Sequence, residues 1–175
     1  MVIVTYNSRA EIGRCLRSVL PTLGPQDELI LVDNASSDGT AAVVETAFPG
    51  VRVVRAEANL GFGAGNNLGA RHARGEYLAF LNPDTEPEPG WLEALIGALE
   101  HDPRAGLATA LVLLMEAGDR VNTCGNDMHL TGLTLCRGMG ARREAFSATV
   151  EVSAISGAAF AMRRDLFESL GGFDE

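Results

Sequence analysis

The stretch Tyr77 to Thr85 joins a buried scaffold to one presented carboxylate, and that pairing is where chemistry is first legible. Tyr77, Leu78, Ala79, Phe80 and Leu81 form an apolar run of the kind that lies in a parallel sheet covered on both faces. Pro83 ends the run because proline has no N–H for a sheet ladder. An extended backbone through Pro83 places Asn82 and Asp84 on one side, just past the carboxyl edge where open α/β sheets bind ligands. Hard cations take oxygen ligands and share them with substrate phosphates, so Asp84 is suited to hold Mg²⁺ or Mn²⁺ against a diphosphate. The same residues also fit a strand and turn in which Asp84 caps the next helix, and taken alone the two readings weigh roughly equally.

The other polar groups follow the same placement. The first four apolar strands end in Thr5, Tyr6 and Asn7, in Asp33 and Asn34, in Glu57 and Asn59, and in Asn82 and Asp84. Turn chemistry alone does not explain four coincidences. A pocket along that edge would take a base by Asp33, a ribose by backbone and Asn groups, and a diphosphate by a metal on Asp84. The glycine-rich run Gly61 to Asn67, read as a loop ahead of a helix, allows close approach of a phosphate or sugar. It is not a dinucleotide fingerprint, since position 66 is Asn66 rather than glycine and the run follows a third strand. Cys124, His129 and Cys136 lack a fourth ligand and fit no standard zinc spacing. Arg142 and Arg143 read as a solvated pair that a loop could bring to a phosphate, and His72 and His101 as helix-surface residues.

The elements that carry these groups are regular in the first half. Val2 to Thr5 is a strand. Ile12, Cys15, Leu16, Val19 and Leu20 then mark one face of a helix that stops at Pro21. Leu29 to Val32 is a second strand, followed by a turn-rich stretch that can start a helix at Ser37 or Asp38 and covers about Thr40 to Ala47. A third strand runs from Val51 to Arg55, and a helix after Asn67 reaches about Arg74. Beyond the opening stretch, Trp91, Leu92, Leu95, Ile96 and Leu99 form a helical stripe, which makes Trp91 a core residue. Gly106 to Met115 reads as a fifth strand, residues 116–149 as irregular hairpins, Val150 to Ile155 and Phe160 to Met162 as strands, and Arg164 to Leu170 as a helix.

The 175 residues, 46% hydrophobic, suffice for one domain with a sizeable core. A net charge of -9 excludes binding of bare nucleic acid and requires a cation if an anionic nucleotide is to be held. Cys15, Cys124 and Cys136, an odd count without paired spacing, point to a reducing, cytoplasmic setting. Met1 to Val4 lacks the features of a signal peptide, and no run reaches the roughly 20 apolar residues of a membrane span. Peripheral association with the inner face of a membrane stays open.

Together these motifs resemble the family 2 glycosyltransferases of the GT-A fold, in particular their rhamnosyltransferase-like branch. The matching segments are Val2 to Asn7, Val32 to Thr40, Asn59 to Gly63 with Gly65, Asn66 and Asn67, Leu81 to Thr85, and Ser156 to Ala159 through Gly171 to Glu175. They span nearly the whole chain in the family's order. The resemblance implies an α/β fold with a mostly parallel central sheet, its nucleotide-sugar-binding half over residues 1–90 and an incomplete donor- and acceptor-side half over 91–175. It also implies a nucleotide-sugar donor held by Thr5, Tyr6, Asn7, Asp33, Asn34, Asn59, Gly63, Asn66, Asn67, Asn82 and Asp84. A glycan or lipid-linked acceptor, inverting transfer and a role in polysaccharide biosynthesis follow from the same resemblance. Asp84 takes the place of the family's metal-binding aspartate, while Asn82 replaces the other acid of that motif. The family's general base follows the Gly-Gly-Phe-Asp-Glu segment, beyond residue 175, which leaves Asp174 and Glu175 as local loop residues. Two other classes are weighed against this one. A nucleotidyltransferase would carry a basic, glycine-rich loop after its first strand, which Thr5 to Arg9 does not resemble, and a non-catalytic nucleotide-sugar-binding module would separate from the enzyme by transfer assays.

Overall fold

The computed structural model describes all of residues 1–175. Strand and helix alternate through the first half: β1 (Val2–Thr5), α1 (Ile12–Val19), a 3₁₀ turn (Leu20–Thr22), β2 (Ile30–Asp33), α2 (Thr40–Ala47), β3 (Arg52–Arg55), α3 (Gly61–His72), β4 (Tyr77–Leu81) and α4 (Trp91–His101). The second half is strand-rich: β5 (Leu107–Thr109), β6 (Val112–Leu114), β7 (Ala117–Thr123), β8 (Asn126–Met128), β9 (Thr134–Cys136), a 3₁₀ turn (Arg143–Phe146), β10 (Ala159–Arg163) and α5 (Arg164–Ser169).

Six strands form the central sheet in the order β3-β2-β1-β4-β10-β5. The first four are parallel, with Val2 beside Ile30 on one flank and Phe80 on the other. β10 runs antiparallel to both β4 and β5. Alternate strand residues therefore feed two cores. Ile3, Leu31, Ala79 and Leu81 meet Ile12, Cys15, Leu16 and Val19 of α1, Val44 of α2 and Leu92, Leu95 and Leu99 of α4. Val2, Ile30, Val32, Leu78, Phe80, Phe160 and Met162 meet Ala70 of α3 and Phe167 of α5 on the other face. Helices on both faces explain why these strands are apolar at every position rather than at every second one. Trp91 packs half-buried on the first core and its indole N–H donates to the Thr22 hydroxyl at 3.2 Å.

Three elements differ from the sequence expectation. The apolar run Gly106 to Met115 is two strands, because β5 stays in the central sheet beside β10 while β6 leaves it to pair with β7. Residues 150–155 form no strand. Ala154 exchanges two backbone hydrogen bonds with Asn126 and the ladder goes no further. α3 starts at Gly61 instead of after Asn67, so the glycine-rich segment is helix rather than loop.

That helix owes its position to missing side chains. A methyl group at Gly65 would lie 2.9 Å from a Val4 methyl carbon, and one at Gly69 would overlap Val2 and reach within 3.1 Å of Val32. The glycines let the helix backbone settle onto β1 and β2, and they offset the usual entropic cost of glycine in a helix. Gly97, in the exposed face of α4, has nothing within 4 Å of such a methyl. Gly69→Ala should lower the unfolding free energy by about 1–3 kcal/mol through overpacking. Gly97→Ala should raise it by roughly 0.5–1 kcal/mol. Urea denaturation of the two variants checks both signs.

Candidate functional site

A cleft of about 520 Å³ opens at the carboxyl edge of β1, β2 and β4. Its walls are Val4, Tyr6, Asn7, Ser8, Glu11, Asn34, Asn59, Gly61, Phe62, Asn82, Pro83 and Asp84. The volume lies within the range of small-molecule and cofactor pockets. Parallel strands deliver their loops to one edge, and here those loops are joined to one another. The β1–α1 loop is bonded across to the β2–α2 loop: the Asn7 N–H donates to the Ser36 hydroxyl (3.0 Å), and Asn7 Oδ1 accepts from the Ser37 N–H (2.9 Å). The Ser8 N–H donates to the Thr40 hydroxyl and the Arg9 N–H to Asp38, both at 3.0 Å. Hydrogen bonds, that from the Thr40 hydroxyl the strongest, hold the Asp38 carboxyl below the usual carboxylate range. Asn7 and Ala35 adopt left-handed backbones, with φ of 52° and 62°. Asparagine tolerates that region well and alanine poorly, so the cross-loop bonds have a strained backbone to hold at Ala35.

Asn34, 2% exposed, organises the opposite wall. Its Nδ2 donates to Asn59 Oδ1 (2.9 Å) and to the Gly61 carbonyl (3.1 Å), and its Oδ1 accepts from the Leu60 N–H (2.8 Å). Asn59 Oδ1 also accepts from the Gly61 N–H at 2.9 Å. Asn34 thus spends its amide on fixing the entry into α3. Asn59, in the cleft wall, leaves its own Nδ2 without a partner in the chain.

The turn after β4 is held from below. The Asn82 carbonyl accepts from the Thr85 hydroxyl (2.7 Å) and the Thr85 N–H (3.3 Å), and the Cys15 thiol approaches it at 3.7 Å. The Asn82 N–H donates to the Ala158 carbonyl at 2.9 Å. Burial pushes the Cys15 thiol up to about 12, so it stays neutral beneath the acidic turn. Asp84 stands exposed on this pinned turn, in the cleft wall, without an ion-pair partner.

Of the residues named from sequence, Tyr6, Asn7, Asn34, Asn59, Asn82 and Asp84 meet in the cleft. The others do not line it. Thr5 is fully buried beside Asp33 in the ladder, its hydroxyl donating to the Val32 carbonyl at 3.3 Å. Asp33 lies beneath the wall at 3% exposure, and its Oδ1 is buried without a hydrogen-bond partner. Gly63, Asn66 and Asn67 lie away from the cleft lining, because all three sit inside α3. A methyl at Gly63 would fall 2.7 Å from the Asp174 carbonyl oxygen. Asn66 is buried and donates to the Phe62 carbonyl at 2.9 Å. Asn67 grips the backbone of Phe173, donating to its carbonyl and accepting from its N–H at 2.9 Å each, and also donates to Glu175 at 3.0 Å. Gly63 and Asn67 thus seat the 171–175 segment, while Asn66 braces the first turn of α3. Arg142 and Arg143 pair with carboxylates: Arg143 reaches both oxygens of Glu88 at 2.9 Å, and Arg142 lies 3.5 Å from Asp119. Ser8, Glu11 and Phe62 complete the cleft without having been singled out. Glu11 directly precedes the apolar stripe of α1, which was the available signal.

A parallel half-sheet with an amide-rich cleft at its carboxyl edge, and an antiparallel strand set between β4 and β5, is the arrangement of a GT-A glycosyltransferase fold. A mannosyltransferase of Pyrobaculum calidifontis in complex with GDP-Man and Mn²⁺ matches 99% of the chain at a TM-score of 0.70 and 23% identity, over 46% of its own length. GalNAc-T7 with UDP, GalNAc and Mn²⁺ matches 97% at a TM-score of 0.73 and 21% identity, over 36% of its length. Residues 1–171 match Glycosyl transferase family 2, and the chain belongs to that family. The N-acetylglucosaminyl-diphospho-decaprenol L-rhamnosyltransferase of Mycobacterium tuberculosis (strain CDC 1551) is 28% identical across the whole chain. The chain spans 64% of that relative's length, and 33% and 35% of two other curated relatives.

Asn34→Ala removes three side-chain hydrogen bonds from a buried position. We expect it to cost about 1–3 kcal/mol of stability, and to weaken nucleotide-sugar binding because Asn59 and the first turn of α3 lose their anchor. Chemical denaturation and calorimetric titration with UDP, dTDP and GDP sugars measure the two effects.

Proposed function

We propose that this chain binds a nucleotide-diphospho-sugar, linked to UDP, dTDP or GDP, and forms the donor side of an inverting transfer to a glycan or lipid-linked acceptor. The observation that carries the reading is the charge of the cleft: its ionisable carboxylates are Glu11 and Asp84, and no Lys or Arg lines it. A bare diphosphate meets repulsion there, which a divalent cation relieves. No three His, Cys, Asp or Glu side chains gather into a metal cage. That suits a cation held by one carboxylate together with substrate oxygens. Asp84, exposed on a turn fixed through the Asn82 carbonyl, is the residue that would hold Mg²⁺ or Mn²⁺, and Glu11 is the other carboxylate of the cleft. Such an ion neutralises the charge that builds on the departing nucleoside diphosphate. The Mn²⁺ and nucleotides in complex with the mannosyltransferase and with GalNAc-T7 support a divalent metal beside the donor, and the similarity to a rhamnosyltransferase named for a diphospho-decaprenol substrate supports a lipid-linked acceptor.

The chain's own groups do the rest. Asn59 presents its free amide beside the Gly61 and Phe62 turn, at the positive end of the α3 dipole, where a ribose hydroxyl or phosphate is favoured. Asp33, with its unpartnered buried oxygen, is assigned to the nucleoside. The general base for the acceptor hydroxyl is expected beyond residue 175, since the Glu175 carboxylate is engaged by Asn67 and by Arg71 at 3.9 Å. A cytoplasmic location is part of this proposal and draws on the three free cysteines.

Asp84→Asn should leave the fold intact and lower Mn²⁺-dependent donor affinity by about tenfold or more, the scale of a lost charged contact. Titration calorimetry with and without Mn²⁺ decides it, and unchanged affinity in the presence of the metal sinks the assignment. Asp33→Ala should weaken nucleoside monophosphate binding even without metal. A loss confined to the metal-dependent part would move Asp33 to the diphosphate.

A further inference from the structure

We propose that the β8–β9 hairpin is a membrane-docking element that inserts its Leu130 tip into the interface of an anionic bilayer. Leu130 is fully exposed, and Met128, Leu133, Leu135 and Met139 are each 55–58% exposed. These five make up the densest group of exposed large hydrophobic residues in the chain. Apart from the single Asn126–Ala154 bridge at their root, the two strands pair only with each other. An isolated two-stranded hairpin is marginal in water, so this one calls for a partner.

Register selects the kind of partner. Directly opposed residues share a face, so Met128 lies with Thr134 on one side and Leu135 with Asp127 on the other. Leu133, two residues before Leu135, falls on the second side. Leu130 occupies the turn closed by the His129 N–H to Leu133 carbonyl bond at 2.8 Å. Toward the tip both faces therefore carry apolar side chains, with Asp127 and Asn126 nearer the root. A protein surface would cover one face and leave the other wet, whereas a bilayer interface surrounds an inserted tip on every side.

Charge points the same way. The chain has 23 Asp and Glu residues and a net charge of -9, yet residues 128–143 contain no carboxylate and carry Arg137, Arg142 and Arg143. Arg143 is committed to Glu88, and Arg142 remains 65% exposed while leaning on Asp119. Arg137 follows β9 directly, its guanidinium 5.2 Å from the Phe146 ring centre. Arginine at the base of an apolar tip fits anionic headgroups above an acyl region.

The root of the hairpin ties this surface to the cleft. Asn126 donates its N–H to the Ala154 carbonyl (2.8 Å) and its side-chain amide to the Ile155 carbonyl (2.9 Å). Two residues on, Gly157 faces the ring of Phe62 in the cleft wall. No helix of the chain is long and apolar enough to cross a membrane, and an inserted hairpin tip requires none. This inference does not depend on the transfer reading, because vesicle binding is read without donor, acceptor or metal.

The test is flotation of the chain with vesicles of phosphatidylcholine, alone or mixed with phosphatidylglycerol. The wild type should float preferentially with the anionic vesicles. The double variant Leu130→Asp/Leu133→Asp should reduce that association by more than about tenfold, with the melting temperature unchanged because both side chains are solvent-exposed. Leu170→Asp, at an exposed leucine far from the hairpin in sequence, should leave flotation as it was. Flotation with neither vesicle overturns the proposal, as does equal flotation of the double variant. Indifference to headgroup charge overturns the anionic assignment. A concentration-dependent dimer that the double variant dissolves would show that the hairpin pairs copies of the chain.

Discussion

The contact on which the site depends is the side-chain-free seat of α3 against β1 and β2. Gly65 and Gly69 bring the helix backbone down to Val2, Val4 and Val32, closer than any residue with a Cβ allows. Everything at the near end of α3 is then set. Its first turn comes level with the ends of the strands, where Gly61, at φ 77°, begins the helix and Asn34 and Asn59 bind its entry. Further along, Gly63 leaves room for the Asp174 carbonyl, and Asn67 holds the Phe173 backbone. Phe173 in turn sits edge-on to Phe62, Phe80, Phe160 and Phe167, with ring centres 5.4–6.2 Å apart. Edge-to-face rings of this kind add modest but specific energy. The cleft-lining Phe62 is thereby tied to the second core through a segment more than a hundred residues away in sequence.

Much of the first half was legible because its signals are local. The stripe Ile12, Cys15, Leu16, Val19 is α1, and Thr40 to Ala47 is α2 as the turn chemistry ahead of it implied. The strands shifted by at most a residue. The failures share a cause, which is that a run of residues does not say what it will pair with. Residues 106–115 are apolar throughout, yet Ala110 is the last to bond β10's side of the sheet, donating to the Ala159 carbonyl, and the chain then turns to β7. The stretch 150–155, with its β-branched residues, meets a strand partner only at the single Asn126–Ala154 bridge. In α3 the glycines carried two opposite meanings, flexible loop or close helix packing, and only the neighbouring valines decide between them.

The site divides along the same line. Asp84 and Asn82 were readable because a proline-terminated strand places them at the edge by simple alternation, and Asn7 because it directly follows a strand. Thr5 and Asp33 are partners in one ladder and both are buried, and of the two only Asp33 keeps an oxygen free of hydrogen bonds. Asn66 and Asn67 look like ligand groups in a list of residues. Once the segment is helical, their amides have backbone partners at Phe62 and Phe173, and a buried polar group takes such partners wherever it can. Glu11 carried no pattern of its own, since a lone carboxylate before a helix is commonplace.

Electrostatics then constrains what the cleft can accept. Arginines elsewhere are spent in pairs with carboxylates, as in Arg143 with Glu88 and Arg55 with Glu45. In the second pair the Glu45 hydrogen bond raises the Arg55 guanidinium above its ordinary value, with the nearby Asp33 charge adding a smaller push. None of this cationic charge faces the cleft, which presents amides, hydroxyls and the two carboxylates Glu11 and Asp84. Amides can donate to a ligand's hydroxyls and phosphate oxygens but bring no net charge to offset a diphosphate. Under the proposed donor binding, an anionic diphosphate would need a cation to arrive with it, which would couple the two binding equilibria.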